Sequence, residues 1–196
     1  GSIFTIQFAP KQFGFKIATG SEDGYVRIFE AVDITNITHW QITEQFTLGG
    51  AKEEAIPVTC LSWNANAFDV PTIAVGGNDA VAKIFQFDPQ RKYEVAALLQ
   101  GHTDSIHDIA WAPSCGRNYQ LVATGSKDKT VRIWQLESTT KGKWAAKEMA
   151  CLRDHHAEVW KVEWNITGTV LATSGDDNCV RIWKTNYHNE WICVSV

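Results

Sequence analysis

Short apolar runs and polar turns alternate along the chain. Four runs, KIAT, TIAV, LVAT and VLAT, are bounded by turn residues and offer apolar side chains to both faces of a strand, which predicts burial on both sides of a sheet. Each run leads through a polar turn into a second strand, and these turns and strands are SEDGY–VRIF, GNDAV–AKIF, SKDKT–VRIW and DDNC–VRIW. The pattern predicts β-hairpins, most clearly at Asp23-Gly24.

Two further strands extend each hairpin into a sheet. An alternating strand precedes it and ends in an aromatic residue, namely Phe8, Trp63, Trp111 or Trp164. A more polar strand follows it, and the four examples are WQITEQFTL, KYEVAALLQ, KWAAKEMACL and NEWICVSV. Because the last strand is the most polar, we expect it to form the solvent-facing edge of a four-stranded antiparallel meander.

The meander is repeated four times. The aromatic that closes the third strand recurs at spacings of 56, 49 and 49 residues, as Phe29, Phe85, Trp134 and Trp183. Six residues before it stands an aspartate, namely Asp23, Asp79, Asp128 or Asp177. Four-stranded units of this length are typical of propeller blades. We therefore predict one partial, all-β β-propeller with blades at about 1–50, 51–100, 101–152 and 153–196.

Composition excludes several function classes. The 196 residues carry 18 Lys and Arg against 22 Asp and Glu, a formal charge of −4 that gives no reason to expect direct nucleic-acid binding. No apolar run approaches the length of a membrane span, so we expect no membrane insertion. The five cysteines are dispersed and form no CxxC pair, which argues against a disulfide framework or a zinc site.

A set of polar residues recurs in the last two units. It comprises His102, Thr124, Asp128 and Trp134 in the third unit and His155, Thr173, Asp177 and Trp183 in the fourth. The set resembles the hydrogen-bonded Asp–His–Ser/Thr–Trp tetrad of WD-repeat blades, in which a buried histidine finds a partner for each ring nitrogen. The first two units keep the turn aspartates Asp23 and Asp79 but lack the complete tetrad. In the second, Val75 replaces the threonine and Glu54 stands at the expected histidine position.

The same residues admit a catalytic or metal-binding interpretation. An Asp–His–Thr arrangement could serve catalysis, but a set built twice in equivalent places indicates a structural role. The groups His155, His156, Asp176 and Asp177, and His102, Asp104, His107 and Asp108, lack a recognised ligand spacing. Strand alternation also sends His107 and Asp108 to opposite faces. We therefore expect no catalytic residue, no metal, no cofactor, no small-molecule substrate and no enzymatic activity.

Three longer stretches carry a family resemblance. They are FAPKQFGFKIATGSEDGYVRIFEA, WAPSCGRNYQLVATGSKDKTVRIW and EVWKVEWNITGTVLATSGDDNCVRIWK. They resemble the WD-repeat family of the Seh nucleoporin and the Sec-thirteen coat subunit, and the Seh branch most. The resemblance implies an open ring of six blades in which a helical partner protein inserts a seventh. It also implies that these residues are the last four blades of that ring, with the first two absent.

The resemblance further implies a function. A Seh-like chain is a non-catalytic scaffold subunit of the Y-shaped outer-ring complex of the nuclear pore, at the nuclear envelope, and serves protein and mRNA transport. It is also a subunit of the SEA/GATOR nutrient-signalling complex, in the cytoplasm and at the lysosomal or vacuolar surface. The alternatives are a COPII-type vesicle coat subunit, a WD-repeat peptide-binding adaptor, and an enzyme that uses the loops on the top face of the propeller.

The last unit should meet the inserted blade of the partner. Strand alternation assigns Trp160, Val162 and Trp164 to one face of its first strand and Val159 to the other, and Val180 and Ile182 to one face of its third strand. We expect the partner-facing surface to come from these six residues. Phe4, Ile6 and Phe8 should form a second bare surface on the first unit.

Overall fold

Four separate antiparallel sheets make up the chain. The computed structural model describes residues 1–33, 35, 37–49, 55–88, 90, 92–139 and 143–196. The strands of the described residues are, in chain order, β1 Ile3–Phe8, β2 Lys16–Ser21, β3 Tyr25–Ala31, β4 Trp40–Thr47, β5 Val58–Trp63, β6 Thr72–Gly77, β7 Asp79–Asp88, β8 Lys92–Gln100, β9 Ile106–Trp111, β10 Gln120–Ser126, β11 Val131–Ser138, β12 Trp144–Leu152, β13 Val159–Trp164, β14 Val170–Gly175, β15 Val180–Thr185 and β16 Trp191–Ser195.

Each sheet is a meander of four consecutive strands. The first blade is β1–β4, the second β5–β8, the third β9–β12 and the fourth β13–β16, with sequential strands paired in every case. Helical structure in the described ranges is limited to one 3-10 turn at Lys11–Phe13. Within those ranges, no helix reaches the length and apolarity that crossing a bilayer requires. The all-β, four-bladed architecture predicted from the repeat is confirmed, and the blades do not close into a ring.

The hydrophobic core lies between the blades. One cluster joins the first blade to the second and includes Val26, Ile28, Val58 and Trp63. A second cluster joins the second blade to the third, and another joins the third to the fourth. Because every cluster draws side chains from two sheets, an internal blade buries both faces, which removes apolar surface from water on each side.

Burial of the second strand in each blade shows where the stack ends. All residues of β6 and of β10, which lie in the two internal blades, are buried. In β14 of the fourth blade, only Leu171 and Thr173 are buried, whereas the other four residues of the strand are partly accessible. The fourth blade therefore covers one face against the third blade and leaves its other face open.

The turns between the second and third strands explain the repeated aspartate. Gly24, Lys129 and Asn178 follow the turn aspartates of the first, third and fourth blades, and all three have φ between 57° and 79°. This left-handed backbone favours glycine and asparagine, as Gly24 and Asn178 illustrate. Asp23, Asp128 and Asp177 each accept a backbone N–H two residues later, which closes the turn. Asp79 differs, because it already begins β7.

Candidate functional site

The third blade holds a buried network of four side chains. His102 Nδ1 lies 2.8 Å from Asp128 Oδ2, and His102 Nε2 lies 2.7 Å from Thr124 Oγ1. The indole N–H of Trp134 donates to the same hydroxyl at 2.9 Å. The loop before β9 supplies the histidine, whereas the other three residues come from β10, the turn after it and β11. The network thus ties the incoming loop to the sheet.

The fourth blade repeats the arrangement. His155 Nδ1 lies 2.9 Å from Asp177 Oδ2, its Nε2 lies 2.7 Å from Thr173 Oγ1, and Trp183 Nε1 donates to that hydroxyl at 2.8 Å. His155, Thr173 and Trp183 are buried. The structure therefore brings together all eight side chains named for the two tetrads, four in each blade.

Hydrogen-bond chemistry assigns the protons. An ionised carboxylate can only accept, so His102 Nδ1 carries a proton and donates to Asp128. His102 Nε2 lies within hydrogen-bond distance of the Thr124 hydroxyl, which accepts from the indole N–H of Trp134. Both ring nitrogens are thus occupied. The site is arranged for structural connection, because His102, Thr124 and Trp134 are buried and no substrate can reach the histidine or the hydroxyl.

The carboxylates of the tetrads are held in their ionised form. Burial acts to raise the pKa of Asp128, but hydrogen bonds from His102 and Thr130 outweigh it and lower that pKa below its ordinary value. The pKa of Asp177 is also lowered. Burial acts to raise it, but hydrogen bonds from His155, the Cys179 backbone and Arg181 outweigh this effect.

The turn aspartates of the first two blades have different surroundings. Arg27 donates to Asp23 Oδ2 at 2.7 Å, and this bond together with one from Ser21 holds the pKa of Asp23 well below its ordinary value. No hydrogen bond to the Asp79 carboxylate is present among the described residues, and Glu54 lies outside them. Arg27 thus pairs with Asp23 as Arg181 pairs with Asp177 in the fourth blade, where a histidine also bonds to the aspartate.

His107 and Asp108, which belong to one of the His–Asp groups considered above, have different partners. His107 stacks on Trp160 with ring centroids 4.0 Å apart and lies 3.3 Å from Glu158. Asp108 instead accepts the backbone N–H of Val162 at 3.0 Å. Across the described part of the chain, no group of three or more His, Cys, Asp or Glu side chains is placed to hold a metal ion.

A recurring bond between neighbouring blades was missed from the sequence. Gln7 accepts the backbone N–H of Trp63 at 3.0 Å, and Ser62 accepts that of Trp111 at 2.9 Å. Asp108 plays the same part toward Val162 on the fourth blade. Because three different residue types accept these bonds, the sequence has no repeated residue that would reveal them. The only available signal was a polar residue in the inner strand of each blade.

The face assignment for the last blade requires a correction. Val159, Val162 and Trp164 are buried together against the third blade, whereas Trp160 is exposed. The register of β13 shifts between Val159 and Lys161, which is the mark of a β-bulge. One extra residue reverses the inward and outward alternation, so Val159 joins Val162 and Trp164, and Trp160 leaves them. Val159, Val162 and Trp164 are therefore not free to face a partner.

The open face of the fourth blade is built from other residues. Val180 of β15 is 58% exposed and Ile182 is partly accessible, and Ile192 and Val194 of β16 are 44% and 52% exposed. Their neighbours Trp183, Trp191 and Cys193 pack toward the third blade instead. We call Val180, Ile182, Ile192 and Val194 the open apolar face. Of the six residues named from the sequence, Val180 and Ile182 belong to it.

The first blade exposes apolar residues on its inner strand. Ile3, Phe4, Ile6 and Phe8 of β1 are all more than half exposed. Monomeric proteins rarely leave contiguous apolar strands in water, so both ends of the stack have the character of interaction surfaces.

Comparison with known proteins places these features in context. The family model for the WD domain, G-beta repeat, matches residues 93–135 and 146–184. Nucleoporin SEH1 of Homo sapiens is 41% identical over 130 residues, which cover 62% of this chain and 34% of that protein. Nucleoporin seh1 of Drosophila melanogaster is 34% identical over 128 residues, with the same shares covered. The matched part thus spans about a third of the length of these relatives.

The chain is similar to WD-repeat proteins in its matched repeats and in its four antiparallel sheets. Both features agree with the tetrads that occupy the third and fourth blades. Together with the SEH1 relatives, they support a WD-repeat protein of the Seh type, as the resemblance in the sequence implied.

Proposed function

We propose that the protein is a scaffold subunit of the nuclear pore, within its Y-shaped outer-ring complex at the nuclear envelope. The similarity to nucleoporins of the SEH1 type supports this role. The observation that carries it is the open apolar face of the fourth blade, because an unpaired propeller face is suited to take up one more sheet. The helical partner supplies that sheet by inserting strands of its own, and the inserted sheet packs on the open apolar face and removes its side chains from water.

The role we propose is non-catalytic. The histidine and the threonine of each tetrad are buried, so a substrate cannot reach His102 and Thr124 or His155 and Thr173. Scaffolding instead requires rigid blades, and the tetrads and the bonds between blades supply rigidity. We further propose that the same surface serves a SEA/GATOR complex at the lysosomal or vacuolar membrane.

Co-expression with candidate helical scaffold nucleoporins tests the proposal. We expect one of them to co-purify with the protein, and expect Val180→Asp combined with Val194→Asp to abolish the complex, because both side chains lie on the open apolar face. Ile166→Asp is the matched control, since Ile166 lies in the same blade but is 90% exposed in a loop. Recovery of COPII-type coat subunits in place of nucleoporins, or a complex that tolerates the double substitution, would contradict the proposal.

A further inference from the structure

A cavity of about 600 Å³ lies between the first and second blades. Aromatic and aliphatic side chains, with Phe13, Ile28, Trp63, Phe87 and Tyr93 among them, share its walls with several polar and charged ones. This volume falls within the range of about 300–1,000 Å³ that is typical of ligand sites. The polar groups of this cavity therefore determine what it can bind.

One of these groups is a buried donor without an acceptor. Trp63 is 4% exposed, and its indole N–H has no hydrogen-bond partner in the structure. The equivalent tryptophans are satisfied, because Trp111 donates to Gln120 Oε1 at 3.4 Å and Trp164 donates to the Ala110 carbonyl at 3.1 Å. A buried polar group left unpaired is unfavourable, so a ligand acceptor that displaced the Trp63 ring enough to reach this N–H would relieve the cost.

A second group is a carboxylate at a position that is alanine in the next two blades. In the first blade, Glu44 of β4 pairs with Ile28 of β3. At the same register the second blade has Ala97 opposite Ile84, and the third has Ala150 opposite Ile133. Glu44 lines the cavity and, within the described residues, has no hydrogen bond or ion pair. The first blade thus places an uncompensated negative charge where its neighbours place a methyl group.

The remaining charges leave the cavity acidic. Glu30 also lines it and is paired with Lys16, whose Nζ lies 3.4 Å from Glu30 Oε2. Two carboxylates therefore face one ammonium. Burial, and to a lesser extent Glu44, raises the pKa of the Tyr93 phenol, which stays protonated and available as a donor. Acidic groups over aromatic walls are complementary to an organic cation.

We propose that this cavity binds an arginine side chain from an extended segment of a partner protein. The guanidinium lies on the aromatic wall and donates to Glu44, and a backbone carbonyl of the same segment accepts from the Trp63 indole. Arginine fits better than lysine, since its planar group both stacks on aromatic rings and bonds a carboxylate in a bidentate manner. The site lies away from the open apolar face and is independent of the proposed blade insertion.

Fluorine NMR on the full-length protein tests the proposal. The protein is labelled with 5-fluorotryptophan, and the Trp63 resonance is assigned with Trp63→Phe. The probe is N-acetyl-Phe-Arg-amide, and the matched probe is N-acetyl-Phe-citrulline-amide, which keeps the shape and loses the charge. We expect the arginine probe to shift the Trp63 resonance in a saturable manner. The affinity of the citrulline probe should be lower by a factor of about ten or more, because charge-assisted hydrogen bonds are about twice as strong as neutral ones.

Substitutions separate the charge from the cavity itself. Glu44→Ala introduces the residue that the next two blades carry at this register, so the fold should be retained, and we expect about a tenfold loss of arginine-probe affinity. Glu163→Ala, on the exposed surface of β13, is the control and should bind as the unaltered protein does. Equal binding of the two probes, full binding by the Glu44→Ala variant, or no saturable shift of the Trp63 resonance would each overturn the proposal.

Discussion

Asp108 on the third blade accepts the backbone N–H of Val162 on the fourth blade at 3.0 Å. The side chain is almost fully buried, and burial raises the pKa of its carboxyl above the ordinary value, although the bonds from Val162 and Lys161 oppose that change. One carboxylate thus fastens two sheets together while its own charge is poorly solvated. The same bond is made by neutral acceptors, Gln7 and Ser62, between the other blades.

Replacing Asp108 by asparagine should preserve this bond and remove the charge. A raised pKa in the folded state means that Asp108 favours folding below its ordinary pKa, and that this contribution is lost as the pH rises through the folded value. We therefore expect Asp108→Asn to unfold at the same or a higher urea concentration at pH 7. Its stability should also decline less between pH 4 and pH 7 than that of the unaltered protein.

Removal of the acceptor provides the contrast. Asp108→Ala leaves the Val162 N–H buried without a partner, so the free energy of unfolding should fall by about 1–3 kcal/mol. If asparagine and alanine proved equally damaging in the urea titrations, the bond between the blades would not be what stabilises this junction.

The hydroxyl of Thr124 supports two buried partners. Thr124→Val keeps the shape of the side chain but strands the Trp134 N–H and the His102 Nε2, and we expect a loss of about 1–3 kcal/mol or more in unfolding free energy. Thr173→Val should have a similar effect in the fourth blade. Thr103→Val alters an exposed threonine in the loop and should stay within about 0.5 kcal/mol of the unaltered protein. Thermal and urea unfolding of the three variants provide the comparison.

Asp128 should make the third blade sensitive to acid. Its pKa is lowered in the folded protein, so its contribution is present above the ordinary aspartate value and is lost as the pH falls through the folded value. Asp128→Asn should therefore be clearly less stable than the unaltered protein at pH 6, and the difference should shrink as the pH falls below about 4. A difference that stays constant with pH would show that the charge of Asp128 contributes nothing.

The sequence predicts the repeat well because its signals are local. Alternation, turn residues and the spacing of Asp128 and Trp134 depend on neighbours along the chain, and they locate the strands closely. The faces of the last blade were assigned wrongly because the bulge at β13 depends on how β13 pairs with β14. Packing between sheets also decides which groups surround Asp108 and Glu44. The local pattern of a single repeat does not specify the residues of the neighbouring blade, so these surroundings could not be predicted.

The mass of the isolated 196-residue chain in solution is the most direct test of the central claim, that the ends of the blade stack are interaction surfaces. Light scattering should show self-association of the chain alone, and thermal unfolding should occur at low temperature, because apolar residues such as Phe4, Ile6 and Val180 remain in contact with water. Co-purification with a partner that covers the open apolar face should yield a defined complex with a higher unfolding temperature. A stable monomer with a cooperative transition at high temperature would contradict the account.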